Sequence, residues 1–548
     1  MSRESVVPDP IRAGLARGWK VVDGARETAD RDLVADVVIV GSGAGGGVTA
    51  EILALSGLSV VVVEEGALKS SADFRMREAD AYPSLYQESA ARKTRDKGIN
   101  ILQGRTVGGS TTVNWTSSFR TPPTTLAFWA TQLGLATYTE ADLAPWFSLM
   151  EARLHVADWP GAPNENNDLL RRGAQKLGIP TGLIRRNVNG CWNLGYCGMG
   201  CPTNAKQSML VTTIPSALDH DATLVTRARA ERLALTGERV DGVDCILLDA
   251  AGVAPTGRTL RVRARHTVLA GGAINTPALL LRSKAPDPSG QLGKRTFLHP
   301  TLVSAALFAQ RVDGYAGAPQ TVYSDHFLHT QPIDGPLGYK LEAPPLHPVL
   351  MATTMQGFGR EHADMMRQFP HLAGMLALLR DGFHPASRGG TVALQADGSP
   401  VLDYPLNDPV WDGARRALLT MAEIQFAAGA TGVQVAHEHA PRYAGWPEAR
   451  AGIAALPFEK HATRVVSAHV MGGCAMGAGD AGVTGPDGRY RGLTNLSVHD
   501  GSLFPTSIGA NPQLSIYGIT ARLASDLAQA LTGRAAVLPQ PARSAAAA

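Results

Sequence analysis

Between residues 34 and 64 two solid apolar runs flank a glycine-rich break: VADVVIV, then GSGAGGG, then VTAEILALSGLS, then VVVVE. The valine-rich runs are short and have no polar face, the pattern of strands buried on both sides of a parallel sheet; the small and apolar residues between them predict the crossover helix. Farther on, LVTRARAERLAL, VDGVDCILLDAAG and TLRVRARHTVLAGGA predict short strands parted by Gly and Asp turns. A helical pattern spans residues 513–531, behind an Asn511-Pro512 pair that reads as its N-cap and first helical residue. The stretch from Lys69 to Lys97 is too charged for a core and predicts a cover over a ligand site. Residues 351–379, with Met351, Met355, Met365, Met366 and Met375, read either as ordinary helical core or as an adaptable apolar pocket. Residues 1–33 form a polar lead with a short helix in IRAGLARGW, and residues 536–548 are expected to be disordered. No run of 18 apolar residues occurs and the N-terminus lacks an apolar signal region, so the expectation is a cytoplasmic protein without a membrane span.

Chemistry enters with the break itself. Gly41, Gly43 and Gly46 stand in G-x-G-x-x-G spacing, with Ala44 after the second glycine. The first glycine permits a tight turn, the second lets backbone approach a pyrophosphate, and the third lets the helix pack on its strand. Glu64 closes the second apolar run, where a carboxylate accepts from a ribose diol and repels a 2′-phosphate; this favours FAD or NAD over NADP. A second glycine pair, Gly108-Gly109, is followed by Ser110, Thr111 and Thr112, whose N–H groups and hydroxyls are free to surround a flat polar ring. Net charge is +3, from 51 basic and 48 acidic residues without a basic run, which leaves little support for nucleic-acid binding and favours a small neutral ligand. Glycine, at 59 of 548 residues, exceeds its usual share of about 7%.

Several stretches together resemble the glucose-methanol-choline (GMC) flavoprotein oxidoreductases. GRTVGGSTTVN, residues 104–114, is similar to the first family signature, and GAINTPALLLRSKA, residues 272–285, to the second, with Lys284 in place of a usual glycine. GKRTFLHP at 293–300 and SRGGTVALQADGSPVLDYPLNDP at 387–409 resemble the family's domain crossing and a strand pair of its substrate domain. The resemblance implies an α/β and α+β fold: a Rossmann-like FAD domain assembled from residues 34–120, 205–296 and 462–535, and a substrate domain with an antiparallel sheet from 121–204 and 297–461. It also implies FAD contacts from Arg105, Gly108, Gly109, Ser110 and Asn114, an adenine neighbour at Ala230, and a flavin neighbour at Asp500. The helix beginning at Pro512 would direct its positive end toward the flavin. Members that link flavin covalently through histidine place it beside the double glycine; Ile101, Leu102 and Thr111 to Val113 stand there, so the FAD is expected to be non-covalent.

For catalysis the resemblance implies His469, in SAHVMGGCAMG, and Asn511, in SIGANPQLSIYG. A histidine suits the hydroxyl proton that leaves as hydride departs from carbon, and an amide can hold the same oxygen. The expected reaction is FAD-dependent oxidation of an alcohol, with O2 or another electron acceptor. The same fold carries hydroxynitrile lyases and a light-driven fatty-acid decarboxylase, so a non-redox net reaction is the alternative. Cys191, Cys197 and Cys201 crowd one segment; their spacing matches neither an iron–sulfur run nor a paired zinc site, leaving buried thiols, a disulfide and a cluster as readings. That segment resembles the cysteine- and glycine-rich stretch of long-chain alcohol oxidase-like members, which points to a hydrophobic or bulky primary alcohol.

Overall fold

The computed structural model describes residues 7–541; the expected disordered tail from 542 onward lies outside the described residues, and 536–541 run without a regular element. The glycine-rich break does join two parallel strands through a helix: Arg31–Val40, Ala44–Leu55 and Val60–Val63, with Val37 to Val40 in register with Val60 to Val63. All four valines of the second strand are buried, as are Val37, Val38 and Ile39, because the helices Ala44–Leu55 and Gln513–Thr532 pack together over one face of the sheet. Burying each such side chain contributes about 1.5–3 kcal/mol.

That sheet has eight strands. Along it lie Lys20–Asp23, Thr223–Thr226, Val60–Val63, Arg31–Val40, Pro255–Leu269, Arg239–Leu248 and Ala228–Thr236, and Leu496–Val498 pairs in parallel with the end of Pro255–Leu269. The lead contributes its short helix, Pro10–Ala16, and also the edge strand Lys20–Asp23; Trp19 between them donates from Nε1 to Asp219 at 2.7 Å. A second eight-stranded sheet, mostly antiparallel, runs Ile99–Ile101, Val465–Ser467, Thr301–Leu307, Leu372–Leu379, Tyr339–Glu342, Val322–Ser324 and Gly182–Leu183, with Gly432–Val435 paired to Thr301–Leu307. The helix Asp408–Ala427 covers it. Its first two strands come from stretches that also feed the cofactor region, so the sheets are stitched together by residues 99–101 and 465–467.

The methionine-rich stretch is helical over Pro348–Thr354 and Gly359–Arg367, which carry Met351, Met365 and Met366, and departs from its helical reading only at its end. Met375 lies on the strand Leu372–Leu379, whose eight-residue apolar run is buried within a sheet, a case in which periodicity cannot separate strand from helix. Met351 and Met355 are buried in a small satellite cluster with Leu346 and Leu372 that Met365 and Met366 flank, whereas Met375 belongs to the core of the second sheet. None of the five lines the main cavity. Among the described residues no helix is long and apolar enough to cross a membrane.

Three buried histidines stitch the layers. His499 lies 2.9 Å from the Thr49 hydroxyl and His266 2.9 Å from that of Ser497, and burial pushes these rings down to about 3 and about 4; His299 is held well below its ordinary value. The unfolded chain takes up protons near pH 6.5 that these rings refuse, so their neutral burial costs nothing above pH 6.5 and costs progressively more toward the folded values. Each ring contributes about 1.4 kcal/mol of lost stability per pH unit through that window. The urea midpoint should therefore fall more steeply from pH 6.5 to 4.5 in the parent than in a His499→Gln variant; parallel pH profiles would show that His499 titrates normally in the fold.

Candidate active site

A single long cavity of about 700 Å³ runs from the first sheet to the edge of the second. One end is made by the glycine-rich turn. Gly41 has φ +101°, and a Cβ there would run into the Ala270 carbonyl, while a Cβ on Gly46 would strike Gly41 O. Gly43 is different: an added Cβ would meet only Gly109 Cα, at 3.8 Å, and would otherwise stand in the cavity itself. Gly41, Gly43, Ala44 and Gly45 line the cavity at the start of the helix Ala44–Leu55, so backbone N–H groups and the positive helix end face the space an anionic pyrophosphate needs. Gly46 does not reach the cavity; it is the helix–strand contact.

Glu64 lines the same end, but its carboxylate is already well supplied. Oε2 accepts from Ser42 N at 3.0 Å and Ser42 Oγ at 2.6 Å, and Oε1 from Gly66 N at 2.8 Å. Burial, the largest influence, pushes its pKa up. Oε1 keeps one lone pair for a further donor such as a ribose hydroxyl. Ser42 Oγ also accepts from Gly108 N at 3.0 Å, so the acid, the first glycine turn and the second glycine loop are one hydrogen-bonded unit.

The second loop, Gly108-Gly109-Ser110, lies opposite the first. Gly109 has φ +53° and a Cβ on it would come within 2.8 Å of Gly43 Cα, so the two backbones touch with no side chain between them. Gly109, Ser110 and Asn114 line the cavity; Gly108 lies behind them at φ +86°. Ser110 Oγ accepts from Gly104 N at 2.9 Å, and Asn114 Nδ2 donates to Gln513 Oε1 at 2.7 Å. Arg105 lines the cavity, donates to Gly252 O at 2.7 Å and leaves Nε buried without a partner. Ala230 lines the end near Glu64 with its neighbours Arg229 and Glu231. The charged stretch after Lys69 does run along the cavity as a cover, through Pro83, Tyr86, Gln87, Glu88, Ser89 and Arg92. A cavity with two glycine floors, a helix N-terminus and a ribose-competent acid fits FAD.

Asp500 is buried and lines the cavity midway, accepting from Gly272 N (2.8 Å), Thr276 Oγ1 (2.6 Å) and Ser502 N (2.8 Å). It thereby ties the C-terminal segment to the start of the helix Gly272–Arg282; burial raises its pKa. Beyond it His469, Asn511 and Pro512 meet at the far end, with Gln320, Ser117 and Trp115. No cysteine lines the cavity, and its one histidine among the described residues is His469.

His469 Nδ1 lies 3.2 Å from His299 Nδ1, and Gly509 N donates to His299 Nε2 at 3.0 Å. The Gly509 bond places the His299 proton on Nδ1, from which it donates to His469; the His469 proton then sits on Nε2. Burial, reinforced by the nearby Lys340 ammonium, pushes His469 down to about 3, so its ring is neutral at physiological pH. His299 itself has φ +45° and is held there by Asp381, whose carboxylate accepts from Leu298 N at 3.0 Å and His299 N at 3.1 Å.

Asn511 does not cap the helix Gln513–Thr532. Pro512 occupies the N-cap position without a side-chain bond, and the Asn511 amide turns instead to Lys340, which donates to Oδ1 at 3.2 Å, and to Glu342, which accepts from Nδ2 at 3.2 Å. His299, Lys340, Glu342 and Gln513 are the site's main additions to the sequence-derived set. The FLHP stretch held a cue for His299, whereas Lys340 and Glu342 read as surface residues until the fold buries them.

The three clustered cysteines stand apart. All five cysteines are free; Cys191 Sγ accepts from Asn193 N at 3.4 Å, Cys201 Sγ from Lys206 N at 3.5 Å and Cys197 Sγ from Arg186 Nη2 at 3.7 Å. Beside them Lys206 is fully buried, donates to Thr112 O, Asn114 O (2.9 Å) and Cys197 O (2.7 Å), and so fastens the second glycine loop from behind.

Comparison with known proteins accords with this architecture. Two models described as GMC oxidoreductase match residues 82–301 and 385–520. A long-chain-alcohol oxidase of Arabidopsis thaliana is 27% identical over 543 residues, 95% of this chain and 70% of that protein. An uncharacterized GMC-type oxidoreductase of Mycobacterium tuberculosis is 32% identical over 505 residues, 91% of this chain and 76% of its own. A formate oxidase variant from Aspergillus oryzae superposes with a TM-score of 0.68 at 16% identity, covering 92% of this chain and 100% of that structure, which speaks to the fold alone. With both family models placed and a relative above 30% identity aligned over 91% of this chain, the chain belongs to the GMC oxidoreductase family.

Proposed function

We propose that this oxidoreductase converts a primary alcohol of hydrophobic or bulky character to the aldehyde, with FAD held non-covalently. The observation that carries the reading is the convergence of a neutral imidazole, His469, and an anchored amide, Asn511, on the end of the cavity away from Glu64. Similarity to long-chain-alcohol oxidases along most of the chain supports the substrate class. Bound FAD supplies the two-electron acceptor for the hydride.

The protein's own residues orient the alcohol and take its proton. With its proton on Nε2, His469 meets a substrate oxygen as a donor and positions it. Acceptance of the hydroxyl proton at Nε2 requires the other neutral form, with the His469 proton on Nδ1 and that of His299 on Nε2. That form turns the Gly509 N–H and the His299 Nε2–H toward each other and leaves both buried groups unpaired, a cost of about 1–3 kcal/mol for each. Such a cost is small beside the barriers of the reactions enzymes catalyse, so the pair can exchange between orienting and accepting forms. The Asn511 amide holds the same oxygen, where a displacement of about 1 Å costs on the order of 100-fold.

Acid precipitation of the yellow protein should release the chromophore into the supernatant; colour kept in the pellet would refute non-covalent attachment. Under anaerobic conditions long-chain primary alcohols should bleach the flavin. His469→Ala should slow that bleaching by about 100-fold or more with flavin still bound, and Asn511→Ser by tens of fold. Parent rates in either variant would remove that residue from the mechanism. Because the His469 ring stays neutral well below its ordinary range, the bleaching rate should hold level from about pH 7 to pH 5; a fall centred on pH 6.5 would mean that the ring titrates as free histidine does.

A further inference from the structure

Behind Asn511 the strand Tyr339–Glu342 presents two charges that the proposed chemistry does not use. Lys340 is 2% exposed and Glu342 fully buried, and they stand two apart on the strand, hence on the same face of the sheet. Their charges lie close, with Lys340 Nζ 3.3 Å from Glu342 Oε1. Lys340 Nζ also sits over the Phe119 ring at 2.9 Å and near that of Tyr323 at 4.7 Å. Glu342 Oε2 accepts from Gln320 Nε2 at 2.8 Å, and Gln320 Oε1 accepts from Ser117 Oγ at 2.9 Å; Gln320 and Ser117 both line the cavity.

A buried ion pair is weak evidence of a stability device, since well-packed apolar residues of similar volume usually serve as well or better. What this pair does is local. Both members are bonded to one amide, that of a residue lining the cavity. An ammonium has no lone pair and an ionised carboxylate has no proton, so the ammonium can meet only Oδ1 and the carboxylate only Nδ2. An asparagine between neutral groups can turn its amide over; this one cannot without facing donor to donor and acceptor to acceptor. The Asn511 oxygen is thereby turned to Lys340, which takes one of its two lone pairs, one N–H is given to Glu342, and one N–H remains for an outside acceptor.

We propose that the Lys340–Glu342 pair is a clamp that fixes the Asn511 amide in one orientation, so that Asn511 meets its ligand as a hydrogen-bond donor to an oxygen. This rests on the alcohol-oxidation reading for the identity of that oxygen, though not for the orientation of the amide. Lys340 and Glu342 are positioning residues, since neither lines the cavity. The ammonium has a second effect: its charge adds to the burial that depresses the pKa of both His469 and His299, so it helps keep the imidazole pair neutral while it holds the amide. Lys340 is itself pushed down to about 8 by burial, partly offset by Glu342, so the clamp weakens as the ammonium deprotonates above that pH.

The test is a double-mutant cycle on the flavin-loaded protein. Removing one member strands the other charge, so both are replaced together, as Lys340→Met with Glu342→Met. Asn511→Ser is then made in the parent and in that double variant, and flavin bleaching by a long-chain primary alcohol is timed anaerobically. In the parent Asn511→Ser should slow bleaching by tens of fold; in the double variant it should cost less than about threefold, because the amide it removes is already unanchored. The same fold-loss in both backgrounds would overturn the clamp. A second readout needs no turnover: the side-chain amide resonances of Asn511 in deuterated, 15N-asparagine-labelled protein, identified by their loss in Asn511→Ser. Their hydrogen exchange should accelerate at least tenfold in the double variant and in Glu342→Gln alone, whose new N–H must face either Lys340 or the donors of Asn511 and Gln320. Unchanged exchange in the folded Glu342→Gln protein would overturn the clamp even if the double variant failed to fold. If alcohols leave the parent flavin oxidised, the alcohol reading fails while the exchange measurement still decides the clamp.

Discussion

The structure depends on two backbones touching. Gly43 and Gly109 lie against each other with no room for a β-carbon on Gly109, and both loops are held in that contact from behind, the first by Gly46 on its own turn and the second by Lys206 and Ser42. Backbone N–H groups can line the cavity floor only because no side chain intervenes. Everything that follows, from the acid that can take a ribose hydroxyl to the distance between the glycine floor and the histidine pair, is measured from that contact.

At the opposite end the governing physics is burial of charge. Desolvation keeps the imidazoles neutral, and the one compensated cation nearby adds to that effect rather than opposing it. The two ends thus use opposite means. The cofactor end relies on fixed dipoles of the backbone, which need no proton balance, and the far end on groups whose protons are placed by their neighbours.

The first of these was readable from residue types alone. Glycine at Gly41, Gly43 and Gly46 between two apolar runs constrains the backbone whatever surrounds it, and the strands and helix fell where the pattern put them. His469 and Asn511 were legible through the likeness of their surroundings to family motifs, and the fold brings them together. What joins them was not legible. YKLE has the polar alternation of a solvent-facing strand, and only tertiary packing places its Lys340 and Glu342 in the interior. The end of the methionine stretch departed from the helical reading for a related reason: the eight apolar residues 372–379 serve a buried strand as well as a buried helix, and sheet pairing decides between them. The helix-capping reading of Asn511 lost because two buried charges compete for the amide more strongly than backbone N–H groups do.

The strand Pro255–Leu269 pairs with Arg31–Val40 on one side and Arg239–Leu248 on the other, and accepts Leu496–Val498 at its end. The helix that lies over the N-terminal glycine turn is Gln513–Thr532. A chain emerging from the ribosome at about 5–20 residues per second therefore displays the glycine turn for about 25 to 95 seconds before the segment that braces it exists. During that interval the valine-rich strands have only part of their sheet and none of their late-made cover. Asp500, Asn511 and Pro512, which line the cavity, belong to that late segment, so the cavity has all its walls only after the segment is made, and until then the exposed valine-rich strands are open to aggregation however stable the completed fold is.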